Sequence, residues 1–97
     1  MVSASGIDTV AIVGGGFMGT GIAEAVALTG LHVVVRDVDD ASIERARARI
    51  ESSLAESVRG AKLDGAVADD VRARIELTTE LDAIAGADLV IEAVPEQ

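Results

Sequence analysis

Six residues, Gly14-Gly15-Gly16-Phe17-Met18-Gly19, constrain this chain more than any others. The apolar run Val10-Ala11-Ile12-Val13 precedes them and a helical pattern follows. A second apolar run, Val33-Val34-Val35, ends just before Arg36 and Asp37. Strand, glycine turn, helix, strand and acid in that order make a βαβ unit suited to a dinucleotide. Gly14 permits the tight turn off the strand, and Gly16 has no side chain to hold a pyrophosphate off the backbone. Gly19 lets the helix lie close to the sheet. The helix N-terminus offers free N–H groups and partial positive charge to phosphates. Asp37 falls where a carboxylate accepts hydrogen bonds from the adenosine ribose hydroxyls. A lone GxGxxG marks many ordinary turns; the flanking order is what makes this one selective.

Length allows one domain at most, since the chain has 97 residues. Half of its residues (49%) are hydrophobic but only 1% are aromatic, with Phe17 alone. The core must therefore be built from Val, Ile, Leu and Ala, the usual filling of a helix-covered parallel sheet. A net charge of −9, from 17 acids against 8 bases, argues against nucleic acid or an anionic membrane as partner. Without cysteine there is no disulfide or thiolate chemistry, and a single histidine makes a zinc site improbable. No apolar run approaches the ~20 residues that span a bilayer. Residues 1–6 are short, polar and small, without the pattern of a signal peptide, and are expected to form a flexible tail. The expected compartment is the cytoplasm.

The pattern predicts an α/β chain over residues 7–97: a partial Rossmann-type parallel sheet in strand order 3-2-1-4. Strands are expected at Thr9–Val13, His32–Arg36, Ile75–Thr78 and Asp88–Val94. The last is apolar enough at its centre to lie buried on both faces, and Pro95 ends it. The first helix should run from Phe17 to Thr29, burying Met18, Ile22, Ala25, Val26 and Thr29, and stop at Gly30. Asp39 or Asp40 should cap a long helix with a buried stripe of Ile43, Ala46, Ile50, Leu54 and Val58. Asp64-Gly65 marks a turn, and Val67, Val71 and Ile75 indicate a further short helix. Thr79 with Asp82 has the form of a capping box for a small helix ending at Gly86. Some 38 residues separate Asp37 from Ile75, so the insertion after strand 2 needs two helices.

These residues resemble the NAD-dependent 3-hydroxyacyl-CoA dehydrogenases, including the bacterial 3-hydroxybutyryl-CoA dehydrogenases. The likeness rests on Val10 to Ala23, on Val35-Arg36-Asp37, on Ile43-Glu44-Arg45-Ala46, and on Ala87 to Glu96. It covers nearly the whole chain and corresponds to the N-terminal cofactor domain of that family. It implies that Gly14, Gly15, Gly16, Phe17, Met18 and Gly19 surround the NAD pyrophosphate and that Asp37 holds the ribose. Glu96 is implied near the nicotinamide half. Ser53 stands where the family has a serine touching CoA; an exposed helix serine is the plainer reading. A basic residue further along the family's helical arm has no counterpart assigned here, since Gly60 falls near its place and Lys62 only close by.

In that family the catalytic histidine, its glutamate, and the serine and asparagine at the reacting carbonyl lie beyond residue 97. No catalytic residue is therefore assigned. His32 opens strand 2, far from the nicotinamide, and reads as an ordinary strand-end histidine; Glu92 reads as a strand-end residue too. The resemblance implies an acyl-CoA substrate and a homodimer formed through a further, C-terminal domain. Two alternatives remain open. One is another 3-hydroxyacid or gulonate-type dehydrogenase on the same scaffold, and the other is a non-catalytic nucleotide-binding module.

Overall fold

A computed structural model describes residues 6–93; most of the expected tail, Pro95 and Glu96 lie outside the described residues. Four strands form one parallel sheet in the order β3-β2-β1-β4: β1 (Thr9–Val13), β2 (His32–Arg36), β3 (Ile75–Thr78) and β4 (Leu89–Glu92). The two central strands owe their place to uninterrupted apolar sequence. Val10, Ala11 and Ile12 of β1 and Val33, Val34 and Val35 of β2 are all buried. Consecutive buried residues point to opposite faces, so both faces of the sheet centre are covered, as a parallel sheet requires.

Helix α1 (Phe17–Leu28) carries the chain from β1 to β2, and Gly30 turns it back with φ of +100°. Its buried face is Gly19, Thr20, Ala23 and Ala27, not the expected stripe of Met18, Ile22, Ala25, Val26 and Thr29. Small residues allow the helix axis to approach the sheet closely. The larger Ile22 and Val26 are rotated to its flanks, where they pack only partly. Met18 is 68% exposed.

The insertion does contain two helices, α2 (Asp40–Arg59) and α3 (Gly65–Arg74). Asp39 caps α2 by accepting from the Ser42 amide at 2.8 Å, which lowers the pKa of its carboxyl. Ile43, Ala46, Ile50 and Leu54 are buried as expected, whereas Val58 lies a turn beyond the core and is exposed. Asp64 caps α3, which buries Ala68 and Val71 and leaves Val67 exposed. Arg74 at its end donates to the Ala27 carbonyl at 3.0 Å, tying α3 to the last turn of α1.

Two expectations near the C-terminal side need correction. The small helix is a 3₁₀ turn at Leu81–Ile84, preceded by Glu80 with no side-chain cap. The Thr78 hydroxyl accepts from the Glu80 amide instead, so Thr79 and Asp82 form no capping box. β4 is shorter than expected and is not buried on both faces: Leu89 is 44% and Val90 50% exposed. Among the described residues it is the outer strand of the sheet, and no described element covers its outer side. Asp88 fixes its start, its carboxylate accepting from the Asp8 and Thr9 amides at 2.8 and 3.0 Å.

Candidate dinucleotide site

The glycine loop opens at the C-terminal end of β1, between β2 and β4, where the strand order reverses. Gly14 has φ of +112°, a conformation that disfavours any side chain, and its amide donates to the Arg36 carbonyl at 2.8 Å. The loop is thereby stitched to the end of β2. Gly15 is packed tightly: a Cβ there would stand 3.1 Å from the Ala46 side chain and 3.2 Å from Asp37. A Cβ on Gly19 would run into the Gly14 carbonyl. Gly16 differs from both, since a Cβ there would meet nothing within 4 Å. The space above Gly16 is open, and no side chain caps the start of α1.

Asp37 turns inward to this loop. One carboxylate oxygen accepts from the Gly15 amide at 2.8 Å and the other from the Val38 amide at 2.7 Å. Together with Val13, Gly14, Gly16, Arg36 and Val38 these residues line a concavity beside the loop. Arg36 is held by a 3.2 Å bond from its Nε to the Thr79 carbonyl. Phe17 and Met18, the first residues of α1, project into solvent, Phe17 at 87% exposure. The cradle fits a dinucleotide: backbone amides unobstructed by side chains at Gly16, a helix N-terminus, and an acid fixed beside them.

Ser53 is not a plain exposed helix residue. It is half-buried, and its hydroxyl donates to Glu24 of α1 at 3.0 Å. It lines a groove between the two helices with Phe17, Ala48, Arg49, Ser52 and Glu56. Arg49 reaches from this groove to the Gly15 carbonyl at 3.4 Å, so groove and loop adjoin. The sequence reading missed both Glu24 and Arg49. Arg49, Ser53 and Glu56 recur at helical spacing, a signal that marks one face of α2; nothing in the sequence marked Glu24 as its partner. Gly60 ends α2, and Lys62 is exposed beyond it, outside the groove lining. His32 is exposed at the opposite end of the strands from the loop, and Glu92 is exposed at the end of β4. Among the described residues, no helix is long and apolar enough to cross a membrane.

Residues 9–97 match the family model for the 3-hydroxyacyl-CoA dehydrogenase NAD-binding domain. The chain belongs to this family. Over 90 residues it is 39% identical to 3-hydroxybutyryl-CoA dehydrogenase of Mycobacterium tuberculosis, covering 93% of this chain and 32% of that protein. Over 91 residues it is 46% identical to 5-formyl-3-hydroxy-2-methylpyridine 4-carboxylate 5-dehydrogenase of Mesorhizobium japonicum, covering 93% of this chain and 28% of that one. Among solved structures, (S)-3-hydroxybutyryl-CoA dehydrogenase from Ralstonia eutropha superposes with a TM-score of 0.89 at 43% identity. That match covers 94% of this chain and 32% of the other. The chain thus spans less than a third of these relatives. It is an NAD-binding domain with the partial Rossmann topology expected of the family.

Proposed function

We propose that these residues are the cofactor-binding part of an oxidoreductase that converts a short (S)-3-hydroxyacyl-CoA, such as 3-hydroxybutyryl-CoA, into the 3-ketoacyl-CoA in fatty-acid metabolism. The observation that carries this reading is the open backbone at Gly16 beside the fixed carboxylate of Asp37. The loop from Gly14 to Gly19 holds the NAD pyrophosphate through the main-chain amides at the start of α1, from Gly16 onward, with Phe17 and Met18 flanking it. The Gly14 and Gly15 amides are spent on Arg36 and Asp37 and shape the loop. Asp37 accepts from the adenosine ribose. Glu96, outside the described residues, approaches the nicotinamide half, and Ser53 faces the CoA moiety across the α1–α2 groove. Bound NAD supplies the hydride acceptor.

Residues 7–97 then act as one cofactor domain of a cytoplasmic homodimeric enzyme, without nucleic-acid or membrane partners. The general base and the remaining substrate contacts lie beyond residue 97, and the dimer interface belongs to a C-terminal domain. A second reading has a specific observation in its favour: the 46% identity to the pyridine carboxylate dehydrogenase. Steady-state assays of the full-length protein with NAD separate them, using 3-hydroxybutyryl-CoA and 5-formyl-3-hydroxy-2-methylpyridine 4-carboxylate in parallel. Turnover of the CoA ester is expected. Turnover of the pyridine substrate alone would replace the acyl-CoA reading.

A further inference from the structure

Glu24 is the sole acid of α1, and its side chain lies against α2. Its Oε2 accepts from the Ser53 hydroxyl at 3.0 Å, while its Oε1 is buried with no hydrogen-bond partner among the described residues. Burial raises the pKa of its carboxyl and the Ser53 bond lowers it, burial being the larger effect. An unpaired buried carboxylate oxygen is costly, and an apolar side chain would join the two helices at less cost. Helix packing therefore does not account for an acid here.

Its effect on Ser53 does. An ionised carboxylate can only accept, so the one hydroxyl proton of Ser53 is committed to Glu24. What the serine oxygen presents to the groove is lone pairs. A phosphate oxygen there would meet another acceptor, whereas an N–H or O–H group would be bonded. We propose that Glu24 is a positioning residue that fixes Ser53 as a hydrogen-bond acceptor, so that the groove selects a donor group of the substrate rather than a phosphate at this point. The inference rests on the reading of the groove as the CoA side of the site. CoA carries suitable donors in two places, the amides of its pantetheine arm and the amino and hydroxyl groups of its adenosine. Arg49, one turn along α2, is the groove residue suited to a phosphate.

The test is calorimetric binding to the full-length protein at saturating NAD, with CoA, dephospho-CoA and pantetheine as probes. The variants are Ser53→Ala, Glu24→Met and the double variant, with NAD affinity and melting temperature as checks on the fold. Ser53→Ala should weaken CoA binding about fivefold to tenfold, as for one lost hydrogen bond. Glu24→Met should weaken it severalfold alone and add nothing in the Ser53→Ala background, because the two act as one unit. The loss persists with dephospho-CoA. Its persistence with pantetheine assigns the donor to the amides, and its restriction to the nucleotide-bearing probes assigns it to the adenosine; both support the proposal. Equal losses from Glu24→Met with and without Ser53, or a loss confined to CoA bearing its 3′-phosphate, would overturn it. If Ser53→Ala weakens binding and Glu24→Met does not, the inference alone falls. If Ser53→Ala changes nothing, the reading of the groove falls with it.

Discussion

The Gly15 amide donates to the Asp37 carboxylate at 2.8 Å, joining residues 22 positions apart in the chain. The acid is thus held by the loop it is proposed to serve. Each oxygen spends one lone pair on the backbone, at Gly15 and at Val38, and keeps the other free to accept from a ligand hydroxyl, in the proposed role that of the ribose. That geometry predicts a preference for NAD over NADP, whose 2′-phosphate would lie beside a fixed negative charge. Arg36 lines the same concavity and, with only its Nε engaged at the Thr79 carbonyl, keeps its charge and four N–H donors. It therefore narrows the preference without removing the repulsion at Asp37; Val38 offers no phosphate ligand. Asp37→Ala should lower NAD affinity by roughly ten- to a hundredfold, the range for hydrogen bonds to a charged group. It should also narrow the gap between the two cofactors. Calorimetry with each cofactor checks both points, and equal or tighter NADP binding by the unaltered protein would refute the preference.

Gly16 and Gly19 should respond oppositely to substitution. A Cβ at Gly16 enters open space, so Gly16→Val should leave the fold largely intact while removing NAD binding. A Cβ at Gly19 enters the Gly14 carbonyl, so Gly19→Ala should displace the loop or α1 and destabilise the protein. Thermal melting and NAD titration of the two variants separate these effects. A folded Gly16→Val protein with unchanged NAD affinity would show that the phosphates do not sit on this loop.

Much of this architecture is legible in the sequence because uninterrupted apolar runs and helical spacing report local burial. Val10 to Val13, Val33 to Val35 and the stripe from Ile43 to Leu54 are read correctly on that basis. The separation of Asp37 from Ile75 gives the two helices of the insertion. The buried face of α1 is not legible, because Gly19, Ala23 and Ala27 carry a weaker apolar signal than their neighbours Ile22 and Val26. The run from Leu89 to Ile91 reads as central, yet edge or centre depends on what lies beside a strand, which its own residues do not state. Gly14, Gly16 and Asp37 are recognisable from their spacing around a strand and helix. The packing of Gly15 on Ala46 and the meeting of Glu24 with Ser53 arise only when α2 folds across α1.

Asp88 should make the β1–β4 edge sensitive to acid. Backbone donation from Asp8 and Thr9 lowers the pKa of its carboxyl. A depressed folded-state value stabilises the fold above the ordinary aspartate range, and this contribution is lost as pH falls through the folded value. Glu24 has the opposite sign: its raised value means that ionisation disfavours the fold as pH rises through it. The stability difference between the natural protein and Asp88→Asn should therefore be largest near neutrality and shrink in acid. Urea unfolding of both across that range is the measurement. A difference that grows on acidification would rule out this role for Asp88.

A polypeptide limited to these 97 residues should show no dehydrogenase activity, although it may be tested directly for NAD binding. Oxidation of a 3-hydroxyl group needs a base within hydrogen-bond reach of its proton, and such a base contributes about 10²–10⁴-fold in rate. His32 is exposed at the N-terminal end of β2, whereas the glycine loop and Asp37 lie at the C-terminal ends of the strands. Asp37 itself has both oxygens engaged at the backbone of the cofactor cradle. Substrate orientation, worth several further orders of magnitude, requires walls on more than the α1–α2 side. Purified 97-residue chain, NAD and 3-hydroxybutyryl-CoA should accordingly give no detectable NADH absorbance beside a full-length control. Turnover approaching that of the control would mean that the proton acceptor is one of the residues assigned here to structure, with Glu92, paired with Val13 at the C-terminal end of β4, the first to substitute.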